Sequence, residues 1–92
     1  YDLYPAVPQN ANKAGEWNKV EIIVYNGTVI HKQNDEVVVE YHLWTPKWEE
    51  DVSRSKFPNL NENWANVEKE GFFGLQDHGD DVWFRNIKIR EL

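Results

Sequence analysis

An all-β fold of antiparallel strands is what this sequence predicts, and three features carry the prediction. β-Branched and aromatic residues gather in runs of six to eight at 19–25, 28–33 and 37–44. Asn26-Gly27 separates the first two runs, and one segment alone carries helix-start chemistry. A two-residue loop between strands is a type I′ turn, which needs positive φ at both positions, and Asn-Gly meets that need.

The elements follow in order. Residues 1–15 hold Pro5, Pro8 and Gly15 among Asn10, Asn12 and Lys13 with no period of 2 or 3.6, so they read as an irregular approach. Lys19-Val20-Glu21-Ile22-Ile23-Val24-Tyr25 and Thr28-Val29-Ile30-His31-Lys32-Gln33 form the hairpin. A second turn at Asn34-Asp35-Glu36 leads into Val37-Val38-Val39-Glu40-Tyr41-His42-Leu43-Trp44, completing a three-stranded meander. Thr45 then reads as a helix N-cap and Pro46 as the first helical residue, with Glu49, Glu50 and Asp51 complementing the helix dipole. Trp48 and Val52 stand four apart on one face, and Phe57-Pro58 ends a helix of about ten residues. The Asn-rich stretch 59–70, with Trp64 inside it, reads as a loop.

Two more strands are predicted at 71–76 and 82–90, around the turn Asp77-His78-Gly79-Asp80-Asp81. Val82 and Phe84 share one parity while Ile87 and Ile89 share the other, so a bulge is expected near Arg85-Asn86. The sum is about five strands and one short helix. So small a helix covers little of a five-stranded sheet, which predicts that further strands complete a sandwich. The opening Tyr1-Asp2-Leu3-Tyr4-Pro5 caps nothing, and the chain has no methionine, so it is expected to be a piece of a longer product.

Ninety-two residues make one domain. A formal charge of -6 with no basic cluster argues against a nucleic-acid partner. The longest apolar runs, of three or four residues, are far too short for a membrane-spanning helix, and no targeting signal opens the sequence. Cysteine is absent, so packing alone must hold the fold. Aromatic residues are 14% of the chain, and five of the thirteen are Trp, which makes core, interface or ligand platform the question for each.

Gly15-Glu16-Trp17-Asn18, Asn26-Gly27, His31, Gly74-Leu75-Gln76-Asp77-His78-Gly79 and Val82-Trp83-Phe84-Arg85-Asn86-Ile87-Lys88-Ile89 occur in this order over nearly the whole chain. Together they resemble the C-terminal half of the 3-keto-disaccharide hydrolase domain family. The sequence departs from the family's pattern at Ala14, where many members carry proline. It departs again at the loop Gln33-Asn34-Asp35-Glu36 and in the length of 59–70. The resemblance implies a concanavalin-like jelly-roll β-sandwich, with residues 1–92 as its C-terminal portion and the missing N-terminal half as partner. It also implies cleavage of 3-keto-disaccharides or 3-keto-glycosides in the bacterial periplasm or outside the cell.

Such chemistry needs a base for the carbon acid beside the ketone, a stabiliser for the enolate and an acid for the leaving oxygen. Histidine exchanges protons near neutral pH, so His78 is the expected base, Asp77 its orienting neighbour and Arg85 the oxyanion partner. A plain turn capped by Asp77 explains the first two equally. Trp17, His31, Asn34 and Gln76 are the expected substrate contacts. Trp17, Trp44 and Trp83 each suit stacking on a pyranose, with core packing as the simpler role. His42 shares parity with Glu40 and Trp44, making either a sugar-facing patch or an ordinary exposed strand face. Trp48 is expected to fasten the helix to the sheet.

No Glu-x-Asp-x-Glu strand supplies the carboxylate pair of ordinary glycosidases. Asp77, His78, Asp80 and Asp81 offer ligands to calcium, but an exposed acidic turn accounts for them, and no metal or cofactor is expected. Asn26-Gly27-Thr28 fits a glycosylation acceptor that the hairpin turn explains as well. A non-catalytic carbohydrate-binding module of the same fold is the alternative function, and a purely structural sandwich the third.

Overall fold

A computed structural model describes residues 2–92. Three antiparallel strands, β1 (Val20–Tyr25), β2 (Thr28–Gln33) and β3 (Glu36–His42), form one sheet in the order β1-β2-β3. The predicted meander is present, and both its turns use the backbone chemistry that the sequence offers. Asn26 and Gly27 lie at φ 47° and 80°, and Asn34 and Asp35 at 50° and 70°, the left-handed pairs that match strand twist in a two-residue loop. The second turn is therefore Asn34-Asp35 alone, and Glu36 already belongs to β3.

Register sets which side chains share a face. Ile22, His31 and Val39 stand opposite one another, as do Val24, Val29 and Tyr41. Between His31 and Lys32 the β2–β3 pairing slips, from Val39 to Val37. Val38 is the extra residue of this bulge. It is buried, and its carbonyl accepts the Val7 N–H at 2.9 Å, so the break in the ladder is where the approach segment attaches.

Helix α1 (Pro46–Ser53) begins as predicted. Thr45 is the N-cap, its hydroxyl accepting from the Trp48 N–H at 3.2 Å, with Pro46 as first residue and Glu49 in the first turn. Its inward residues are Trp48 and Val52, both buried. Trp48 lies nearly parallel to Tyr41, with ring centroids 5.4 Å apart, and Tyr4 stacks on Tyr41 at 5.1 Å. The Trp48 indole N–H donates to Ala65 O at 2.8 Å, folding the loop back over the helix. A 3₁₀ turn at Phe57–Asn59 follows, and Phe57 stacks on Trp64 at 4.3 Å. The buried apolar residues among those described are Val29, Val38, Trp48 and Val52.

Four expectations are corrected. The predicted strands at 71–76 and 82–90 do not form: residues 71–92 are irregular and exposed throughout, so the described sheet has three strands and not five. A strand is defined by its ladder, and β-rich composition without a partner leaves the backbone to solvent. The expected bulge near Arg85-Asn86 therefore has no ladder to interrupt, although Asn86 does break the extended backbone there with φ 55°. β3 stops at His42, because Trp44 adopts φ 59°. The helix has eight residues where about ten were expected. Regular structure is mainly antiparallel sheet with one short helix, consistent with an all-β class.

Two outcomes follow from this packing. Gly27→Ala puts a Cβ 3.1 Å from the Trp44 ring at a φ of 80°, so a loss of about 1–3 kcal/mol is expected in urea unfolding. Tyr4 donates its hydroxyl to Asp51 Oδ2 at 2.6 Å; burial, then that hydrogen bond and the carboxylate charge, push its pKa up to about 12. The unfolded chain releases this proton near 10, so between pH 10 and 12 the folded state holds more protons and stability falls as pH rises. Absorbance titration of tyrosinate should show one of the four tyrosines ionising near pH 12, and Tyr4→Phe should abolish that step.

Candidate functional site

Side-chain amides gather where the approach segment meets the β2–β3 turn. Asn34, held at positive φ, donates from Nδ2 to Asn10 O (2.9 Å) and Asn18 Oδ1 (3.0 Å), and its Oδ1 accepts the Lys19 N–H (3.0 Å). Asn18 Oδ1 also accepts the Asn12 N–H at 2.7 Å, and Asn12 Nδ2 donates to Trp17 O at 2.8 Å. Asn10 and Gln33 close the far side, with Asn10 Nδ2 donating to Gln33 O and Gln33 Nε2 to Asn10 Oδ1. An exposed Lys19–Asp35 ion pair at 2.7 Å straddles the same turn. It raises the Lys19 pKa and lowers that of Asp35, in each case through the shared hydrogen bond first.

Trp17 emerges from this clamp half-exposed, and the Arg85 guanidinium carbon sits 4.0 Å from its ring centroid. A cation over an aromatic face at an exposed site is worth about 0.5–1 kcal/mol. Two expected site residues, 68 positions apart (85 − 17), are thus brought together. Arg85 takes one face of the indole. Among the described residues the guanidinium has no carboxylate within ion-pair distance.

The other expected residues lie apart. His31 projects from β2 on the face of Val29 and meets the edge of Tyr41 at 5.8 Å. Burial lowers its pKa, favouring the neutral ring. Asn34 reaches Trp17 through the amide network and is tied to the turn by its own hydrogen bonds. Asp77 Oδ1 accepts the Gly79 N–H at 3.1 Å, with Gly79 at φ 98°, so Asp77 builds the turn that carries His78. Gln76, Asp77 and His78 are exposed, and among the described residues no hydrogen bond, ion pair or ring contact joins them to Trp17, Arg85, Asn34 or His31.

Sequence reasoning missed the amide network. Its signal was the density of Asn in the approach segment, where amides bond backbone groups of irregular chain. Two further groupings stand on the surface. The Thr28 hydroxyl and His42 Nδ1 are 3.0 Å apart, with Glu40 3.6 Å from Nε2. A cleft of about 320 Å³ is lined by Trp44, Glu49, Glu62, Asn63, Ala65 and Asn66. In it the Trp44 indole donates to Val67 O at 2.8 Å, and Lys69 Nζ lies 5.0 Å from the ring. Among the described residues no three His, Asp or Glu side chains converge as a metal-binding set, and no helix is long and apolar enough to cross a membrane.

Residues 1–90, which include both members of the Arg85–Trp17 contact, match the 3-keto-alpha-glucoside-1,2-lyase-like domain. The chain belongs to this family. It is 55% identical over 100 aligned residues to a 3-keto-disaccharide hydrolase of Bacteroides thetaiotaomicron, an alignment covering all of this chain and 34% of that protein. The chain thus spans about a third of the length of the curated relative it matches. Every candidate residue of this lyase-like domain, from Trp17 to Arg85, falls inside the matched range.

Asn34 provides the stability test of the site. Asn34→Ala removes three side-chain hydrogen bonds and places alanine at φ 50°, which is expected to cost about 2–4 kcal/mol in denaturant unfolding. Asn34→Gly loses the same bonds without the backbone strain, so it should cost less than Ala.

Proposed function

We propose that the protein cleaves the glycosidic bond of 3-keto-disaccharides or 3-keto-glycosides. The observation that carries this reading is Arg85: in a chain of the lyase-like family, it presents a guanidinium on the Trp17 face with no carboxylate among the described residues to neutralise it. The relative named 3-keto-disaccharide hydrolase supports the substrate class.

The ketone at C3 acidifies the C2 proton. A base removes that proton, and the electron pair moves onto the C3 oxygen as an enolate. Re-formation of the ketone then drives the pair into a C1=C2 bond and expels the anomeric oxygen, which takes a proton from an acid. Water adds at C1 and a proton at C2, so the net change is hydrolysis. Arg85 stabilises the enolate oxygen, since fixed charge aimed at developing charge is the strongest term such a site offers. His78 moves the proton, and Asp77 shapes the turn that holds it. Trp17, His31, Asn34 and Gln76 surround the sugar.

The rest of the fold is part of the same proposal. The exposed apolar residues Val20, Ile22 and Val24 of β1, with Phe73, Trp83 and Ile89 of the irregular segment, suit burial beneath further strands. The matched relative is long enough to hold them. A concanavalin-like jelly roll completed by an N-terminal half, acting in the periplasm or outside the cell, is the reading that accommodates both. The Trp44 cleft favours a second reading, a non-catalytic carbohydrate-binding module, because an aromatic ring among carboxylates and amides suits sugar hydroxyls.

Release of 3-keto-glucose from a 3-keto-disaccharide by the full-length protein tests the two. Turnover is expected, with kcat lowered about 100-fold or more in His78→Ala and in Arg85→Gln. Sugar binding without turnover would overturn the catalytic reading in favour of the binding module.

A further inference from the structure

The amide network ends on Trp17, and Trp17 carries Arg85. The links run from Asn34 Nδ2 to Asn18 Oδ1 at 3.0 Å, Asn12 N to the same oxygen at 2.7 Å and Asn12 Nδ2 to Trp17 O at 2.8 Å, with the guanidinium 4.0 Å from the indole centroid. The segment that carries Arg85 has no regular structure of its own. The contact this guanidinium makes is with the ring beneath it.

We propose that Trp17 is the positioning residue for Arg85, and that the Asn12–Asn18–Asn34 amide relay positions Trp17 in turn. This rests on the reading of Arg85 as the oxyanion partner and gives Trp17 and Asn34 a task beyond contact with the sugar, that of holding the guanidinium in place. Two features of the contact suit the task. A ring orients the planar guanidinium without competing for its N–H groups, which stay directed outward to an anionic oxygen. The relay uses neutral amides, so it adds no opposing charge beside the guanidinium. A carboxylate in the same place would have neutralised the charge that the reaction needs.

The test compares Trp17→Leu, Trp17→Phe, Asn18→Ala and Arg85→Gln in the full-length protein, with the double variant Trp17→Leu/Arg85→Gln. Trp17→Leu and Asn18→Ala are expected to lower kcat/KM for a 3-keto-disaccharide by about 10- to 100-fold, the effect of misplacing a catalytic group by roughly 1 Å. Trp17→Phe keeps a π face and should restore most of it. In kcat the double variant should be no worse than Arg85→Gln alone, because the tryptophan acts on the chemical step through the arginine. Additive losses, or no rescue by phenylalanine, would overturn the proposal.

An NMR measurement separates this proposal from the activity. The Arg85 Hδ protons should be shifted upfield by the Trp17 ring current, and that shift should collapse in Asn18→Ala while the amide spectrum of the sheet persists. An enzyme without turnover that still shows this behaviour would sink the function and keep the positioning. An Arg85 side chain with no ring-current shift would sink the positioning whatever the activity.

Discussion

Trp48 meets Tyr41 at 5.4 Å and gives its indole N–H to Ala65, so a single side chain fastens both α1 and the loop after it over β3. Tyr4 stacks on Tyr41 at 5.1 Å with its ring 6.4 Å from that of Trp48, and bonds Asp51 of the same helix, which brings the approach segment into the cluster. Thr45 makes this possible by starting the helix at the one position that aims Trp48 inward. Lys47 draws Asp51 to 2.6 Å, and this hydrogen bond first, then that of Tyr4, keeps the carboxyl below its usual pKa. The Tyr4 acceptor is therefore charged at neutral pH.

The same cluster sets the limit of the packing. A helix of eight residues is about 12 Å long, and β1 stands two strand spacings, about 10 Å, from β3. Trp48 and Val52 thus cover the β3 side of the face, where Val29 is buried. On that same face Val20, Ile22 and Val24 of β1 stay exposed. The gradient of burial across three strands is the reach of one short helix, written in side chains.

What the sequence made legible was local. Asn26-Gly27, Thr45-Pro46 and the Trp48/Val52 spacing each encode their geometry within a few residues, and each formed as read. Residues 71–92 have the composition of strands, but a strand also needs a neighbour. Nothing within Gly74-Leu75-Gln76 or Ile87-Lys88-Ile89 specifies where that neighbour lies. The end of β3 was misread for a related reason: Trp44 is β-prone by type, yet its φ of 59° answers to Gly27, whose bare Cα admits the indole. For the site, motif resemblance marked Trp17 and Arg85 separately, and their contact across 68 positions (85 − 17) needed three dimensions. The amides that hold them resembled ordinary loop polarity.

Around the β2–β3 turn two kinds of polar contact sit side by side, and they respond differently to conditions. Lys19 and Asp35 form an exposed ion pair, which salt screens and which contributes little to stability. The Asn10, Asn12, Asn18 and Asn34 amides carry no charge, so neither salt nor pH between the carboxylate and tyrosine ranges alters them. The backbone of Trp17 hangs from the amides and not from the ion pair. Conditions that strip the surface electrostatics therefore leave the platform under Arg85 standing, and the guanidinium stays charged at any pH a protein tolerates.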